Sequence, residues 1–157
     1  MAATTIHARR DIPVRKPGYT LLPHMTDAYI EAVGTTLEEA MQFAAVALID
    51  TICNVNSVSP ILSEHIEASG DDEVALLYDW LESILLKFEL ERWVFSEFKI
   101  APIVKSGTAF RTVAQGFGEK YDKWKHGTKV EVKAATYHRM VVLREEGSTI
   151  VRFILDL

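Results

Sequence analysis

The hydrophobic and polar positions of this chain change period several times, and each change marks an element. Gly18 to Leu22 and Ala28 to Val33 read as two short extended segments, separated by Pro23 and the turn "HMTD". In the second segment Ala28, Ile30 and Ala32 share one face while Asp27, Tyr29 and Glu31 share the other, the period-two pattern of a half-buried strand. Gly34 ends it. Thr36 and Glu39 then form a T-x-x-E capping box, in which each side chain satisfies a backbone donor at a helix start. Leu37, Met41, Ala44, Leu48 and Ile52 follow at helical spacing, which predicts an amphipathic helix to about Cys53, ended by "NVNSVSP". Ile61 to Ser69 reads as a strand, and Gly70, Asp71 and Asp72 introduce a second helix whose acidic first turn suits the positive end of the helix dipole. Its buried stripe is Val74, Leu77, Leu81, Ile84, Leu85 and Phe88. From Arg92 to Lys105 the pattern is again extended, and "FRTVAQGFGE", "KVEVKAATYHRMVVLRE" and "STIVRFILDL" add three β segments separated by Gly and charged turns. The order ββα, βα, then strands, predicts an α+β fold with two helices packed on a largely antiparallel β-sheet.

Composition narrows this picture. The 157 residues, 48% apolar and 25% charged, suffice for one core and hence one domain. No apolar run approaches the ~18 to 20 residues of a membrane span, and the N-terminus lacks the apolar centre of a secretory signal. The expectation is therefore a soluble intracellular protein without membrane contact, cytoplasmic or, in a eukaryote, nuclear. Cys53 is the only cysteine, which excludes an internal disulfide and a thiolate metal cluster, and its place at the end of an apolar helical pattern marks it as a buried thiol. A net charge of −5 argues against a surface built to neutralise phosphates, so any RNA connection is expected to run indirectly, through a protein partner. Residues 1–16 carry Arg9, Arg10, Arg15 and Lys16 with Pro13, and they read as a mobile arm ahead of a domain spanning 17–157.

The terminal strand is the most informative stretch for chemistry. Alternation puts Val151, Phe153, Leu155 and Leu157 on one face and Ile150, Arg152, Ile154 and Asp156 on the other, so Asp156 keeps company with isoleucines one residue from the end. A carboxylate in apolar surroundings needs a cation or several donors to stay charged, and the carboxylate of Leu157 adds to the concentration of negative charge. A metal ion, or a nearby lysine or arginine, reconciles the two. Lys133, in a strand with the small residues Ala134 and Ala135 and with His138 following, is a candidate positive partner, while His24 and Asp27 bracket the "HMTD" turn. Taken alone, these residues read equally well as a solvated C-terminus, an exposed strand lysine and an Asx-type turn. No P-loop, dinucleotide fingerprint, zinc-protease helix or hydrolase elbow occurs. Trp80, Trp93 and Trp124 are scattered and read as packing residues rather than a base-stacking platform.

Five stretches in order resemble the archease family: "HMTD" against its H-T-A-D turn, "GTTLEEA" against a G-x-T-x-E-E-A helix start, "GEKYD" against G-E-x-Y-D, "VKAATYH" against V-K-A-x-T-Y-H, and the terminal "LDL" against L-D-[LI]. The likeness runs from Gly18 to Leu157, with Met25 and Thr26 departing from the family's Thr and Ala and no counterpart for the basic arm. It implies an archease-like α+β fold and an accessory factor, not itself an enzyme, that activates an RtcB-type RNA ligase in tRNA splicing by promoting its GTP-dependent guanylylation and multiple turnover. It also implies a divalent metal site on Asp27, Asp156 and Leu157, with His24, Lys133 and His138 at supporting motif positions. Oxygen donors favour calcium, with magnesium or manganese as alternatives. The competing classes are a free-standing metal-dependent phosphate-ester hydrolase, which would use the same aspartates on a metal-activated water, and a chaperone-like protein in which the metal only braces the fold.

Overall fold

The computed structural model describes residues 15–24 and 26–157. Residues 1–14 of the expected arm and Met25 of the "HMTD" turn lie outside them. The elements are β1 (Gly18–Leu22), β2 (Ala28–Gly34), α1 (Leu37–Ile52), β3 (Leu62–Gly70), α2 (Glu73–Glu91), β4 (Trp93–Ile100), β5 (Val104–Ser106), β6 (Ala109–Lys120), α3 (Lys123–His126), β7 (Ala134–Glu145) and β8 (Ser148–Asp156), with a 3-10 turn at Val55–Ser57. The α+β class and the antiparallel pairing agree with the sequence pattern. The strands are divided between two sheets rather than gathered into one: β1-β2-β8-β7, and β3-β6-β4 with β5 also paired to β6. No helix among the described residues is long and apolar enough to cross a membrane.

The two long helices join the sheets. Helix α1 packs on β2 and β8 of the first sheet and on β4 of the second, while α2 packs on β3 of the second and β7 of the first. Both helices start in the same way. Thr36 Oγ1 accepts the Glu39 N–H at 3.2 Å and Asp72 Oδ1 accepts the Ala75 N–H at 2.7 Å, each satisfying an orphan donor of the first turn. Two residues before each cap stands a glycine, and a Cβ on Gly34 or Gly70 would lie 2.4 Å from the backbone N of Ala40 or Leu76. Each strand thus enters its helix so tightly that only glycine fits.

The expected stripe of α1 is buried throughout, as are Leu77, Leu81, Ile84 and Leu85 of α2. Trp80 is wholly enclosed, and its indole N–H donates to the Met41 carbonyl at 2.9 Å, tying α2 to α1 through a polar bond inside the core. Two extended readings break where the backbone must turn. The run from Arg92 to Lys105 is interrupted at 101–103, where Pro102 offers no ladder donor. The segment from Lys129 joins a ladder only at Ala134; before that its backbone N–H groups bond to the end of α1, Lys129 to the Ile52 carbonyl and Val130 to that of Thr51. Of the expected arm, Arg15 is ion-paired with the buried Glu31, which also accepts from Arg152 Nε at 2.8 Å.

Candidate functional site

Strand β8 is central in its sheet, with β2 on one side and β7 on the other, so its C-terminal end collects residues from three segments. The register pairs Ala28 with Leu155 and Ala134 with Asp156. One position beyond the first pair, Asp27 stands at the end of the same ladder as Asp156, although nearly the whole domain lies between the two aspartates in sequence.

Beside this strand end lies a cavity of about 430 Å³. His24, Asp27 and Leu157 line it, together with Tyr19, Asp50 and Lys129 and the apolar Ala28, Ile30 and Ala47. Asp50 Oδ2 accepts from the Tyr19 hydroxyl at 3.0 Å and Asp50 Oδ1 from Lys129 Nζ at 2.9 Å. Burial, then the charge of Asp50 and the hydrogen bond to it, push the Tyr19 phenol up to about 12, so it stays a donor at neutral pH.

The sequence-predicted residues separate into three groups. His24, Asp27 and Leu157 meet at the cavity. Asp156 does not line it. It is exposed at the strand end rather than enclosed among isoleucines, because Ile150 and Ile154 are buried further along β8 while the last position reaches solvent. Lys133 is exposed and meets Asp156 through its backbone, its N–H donating to the Asp156 carbonyl at 2.8 Å. Among the described residues the Lys133 ammonium forms no ion pair, so the expected lysine partner for the carboxylates is not seen. His138 stands apart, exposed, on a bulge of β7 between Thr136 and Val141. There its N–H donates to Thr136 Oγ1 at 3.0 Å, and the next residue, Arg139, has a φ of 57°.

Asp27 and Asp156 have no hydrogen-bond donor or cation on their carboxylates among the described residues. No cluster of three or more His, Cys, Asp or Glu side chains suited to a metal forms among those residues, so the candidate donors are two uncommitted carboxylates and the main-chain oxygen of Leu157. Such hard oxygens fit calcium, magnesium or manganese and not a thiolate-preferring ion. Sequence reasoning missed Tyr19, Asp50 and Lys129. Asp50 is 31 positions from Tyr19 and 79 from Lys129, and no local spacing links them. The one available signal was a carboxylate close to the apolar stripe near the end of α1.

These features define an α+β protein with a largely apolar cavity, bordered by Asp27 and Asp50, at the end of a central strand. The model of the Archease protein family matches residues 19–157, and the chain belongs to that family. It is 39% identical to a protein archease of Methanopyrus kandleri over 137 residues, covering 87% of this chain and 96% of that one. It is 37% identical to a protein archease of Pyrococcus abyssi, covering 85% and 94%. The solution structure of a Methanobacterium thermoautotrophicum protein superposes with a TM-score of 0.78 at 33% identity, covering 89% of this chain and 99% of that one. The crystal structure of an archease from Thermotoga maritima gives 0.55 at 17% identity, covering 91% and 97%, a likeness of fold.

Proposed function

We propose that this protein is an accessory factor of an RtcB-type RNA ligase in tRNA splicing, promoting its GTP-dependent guanylylation and repeated turnover rather than joining RNA itself. The observation that supports the reading is the meeting of Asp27 and Leu157 at one cavity, with Asp156 at the end of the same ladder, in a chain whose family match covers nearly its whole length. Asp27, Asp156 and the Leu157 main-chain oxygen would hold a divalent ion, calcium first, which supplies a fixed positive charge at the cavity rim. The chain's own contribution is positional. The paired strands β2 and β8 set the two aspartates, while Asp50 holds Tyr19 and Lys129 in the lining of the same cavity. The net charge of −5 over the chain suits a basic partner surface, because opposite potentials steer encounter and fix orientation.

The test combines purified ligase, GTP and RNA ends with and without this protein, alongside calorimetric titration of calcium. Stimulated turnover by the wild type, lost together with calcium binding in Asp27→Asn and Asp156→Asn, supports the reading. Stimulation that survives both substitutions removes the metal from the account. Hydrolysis of phosphate esters by the protein alone would move it to the hydrolase class.

A further inference from the structure

Trp124 is the most exposed of the large hydrophobic residues described, at 88%, whereas Trp80 and Trp93 are buried, so the expectation that all three tryptophans are packing residues fails at Trp124. Its exposure is not that of a loose loop. Asp122 Oδ1 accepts the Trp124 N–H at 2.9 Å, and the Asp122 carbonyl accepts from Lys125 and His126. Gly127 closes the turn onto the Lys123 carbonyl at 3.0 Å. Beneath it, the enclosed His126 bonds through Nε2 to Glu119 Oε1 at 2.7 Å and accepts the Asp122 N–H at Nδ1 at 2.9 Å, and its carbonyl accepts the Asn54 N–H. Glu119 also holds Lys125 at 2.6 Å, and Lys125 donates to Ser59 Oγ. A rigid support that displays an indole in water costs little entropy when a ligand stacks on the ring.

The surroundings decide what that ligand is. From 119 to 129 the chain carries Lys120, Lys123, Lys125 and Lys129 against Glu119 and Asp122, a local excess of positive charge in a protein of net charge −5. Both carboxylates are committed, Glu119 to His126 and Lys125, Asp122 to the α3 cap. Lys129 is drawn to Asp50, but Lys120 and Lys123 have no carboxylate partner among the described residues. Instead Lys123 Nζ lies 5.0 Å from the Trp124 ring, while Lys120 Nζ lies 4.6 Å from that of Trp93 and donates to the Glu91 carbonyl at 2.8 Å. An aromatic that anchors a protein interface is ringed by groups that exclude water, whereas Trp124 is flanked in sequence by lysines. An exposed flat ring beside the Lys123 ammonium, with a second lysine free of any carboxylate four residues before Trp124 at Lys120, matches a base and its phosphates.

We propose that the α3 turn is a docking surface for single-stranded RNA, one base stacking on Trp124 and neighbouring phosphates on Lys123 and Lys120. This differs from the sequence-based expectation of indirect RNA contact, and it is independent of the ligase reading because it is measured on the protein alone. The test titrates the full chain into a fluorescein-labelled deca-adenylate RNA and follows its fluorescence anisotropy for every variant, with tryptophan fluorescence recorded beside it for the wild type. Binding should quench the exposed indole of the wild type, weaken roughly five- to tenfold between 50 and 200 mM salt for about two phosphate contacts, and fall at least fivefold in Trp124→Ala with Trp124→Phe largely retaining it. Lys123→Ala should reduce the salt dependence, and Leu90→Ala, at an exposed apolar position on α2, should change nothing. Absence of saturable quenching, equal affinity in Trp124→Ala, or equal binding of a polyglutamate peptide of matched charge would each overturn the proposal, the last by showing a surface for acidic peptides.

Discussion

Replacing Glu119 by glutamine tests whether the support under the α3 turn is held by charge. Burial by itself would raise the Glu119 carboxyl, but hydrogen bonds from Lys125, His126 and the Ser59 N–H, together with the charge of Lys125, hold it at about 2 instead of 4.5. At about 1.4 kcal/mol per pH unit this difference has a ceiling of about 3 kcal/mol. The Lys125 side chain is 43% exposed, so solvent screening lowers its share, and the expected loss in Glu119→Gln at pH 7 is about 1–2 kcal/mol. The folded carboxyl is depressed, so its contribution is complete above about 4.5 and disappears as the pH falls towards about 2. Urea unfolding followed by far-UV circular dichroism at pH 7, 5, 4 and 3 reads both quantities. The wild type should lose its advantage over Glu119→Gln across the acid range, and stability profiles that stay parallel down to pH 3 would refute the reasoning.

Three further expectations follow from other parts of the molecule. Trp80→Phe removes the bond to the Met41 carbonyl and leaves a cavity between the helices, so urea unfolding should show a loss of about 2–4 kcal/mol. Glu31→Gln leaves Arg15 and Arg152 facing each other without their shared carboxylate; because both arginine side chains are 33% exposed and reach water, the cost should be about 1–3 kcal/mol in the same assay. Burial pushes the Cys53 thiol up to about 11, with Lys129 opposing the shift and Asp50 adding to it, so an aromatic disulfide reagent at pH 8 should label the native protein far more slowly than the protein in urea.

The identity of most elements was legible in the sequence because their determinants are local. The T-x-x-E box, the 3.6-residue stripes of α1 and α2 and the period-two alternation of β2 and β8 each reflect a backbone satisfying its own hydrogen bonds while one face meets the core. Short α3 escaped that reading. Its determinants are the Asp122 cap and the Glu119–His126 contact, and four residues are too few to show a period. The irregular stretch before β7 escaped as well, since alternating Val130 and Val132 resemble a strand while the N–H groups of Lys129 and Val130 bond to the end of α1.

The sequence by itself determined the two long helices, most of the strands, the α+β class and, through five ordered motifs, the family. Only the tertiary structure decided that the strands form two sheets, that Asp27 and Leu157 share a cavity with Tyr19, Asp50 and Lys129, and that Trp124 stands in solvent while Trp80 lies in the core. The physical reason is range. Capping and periodicity are set by neighbours a few residues away, whereas strand pairing, cavity walls and exposure depend on contacts between segments far apart in the chain, which no local spacing encodes.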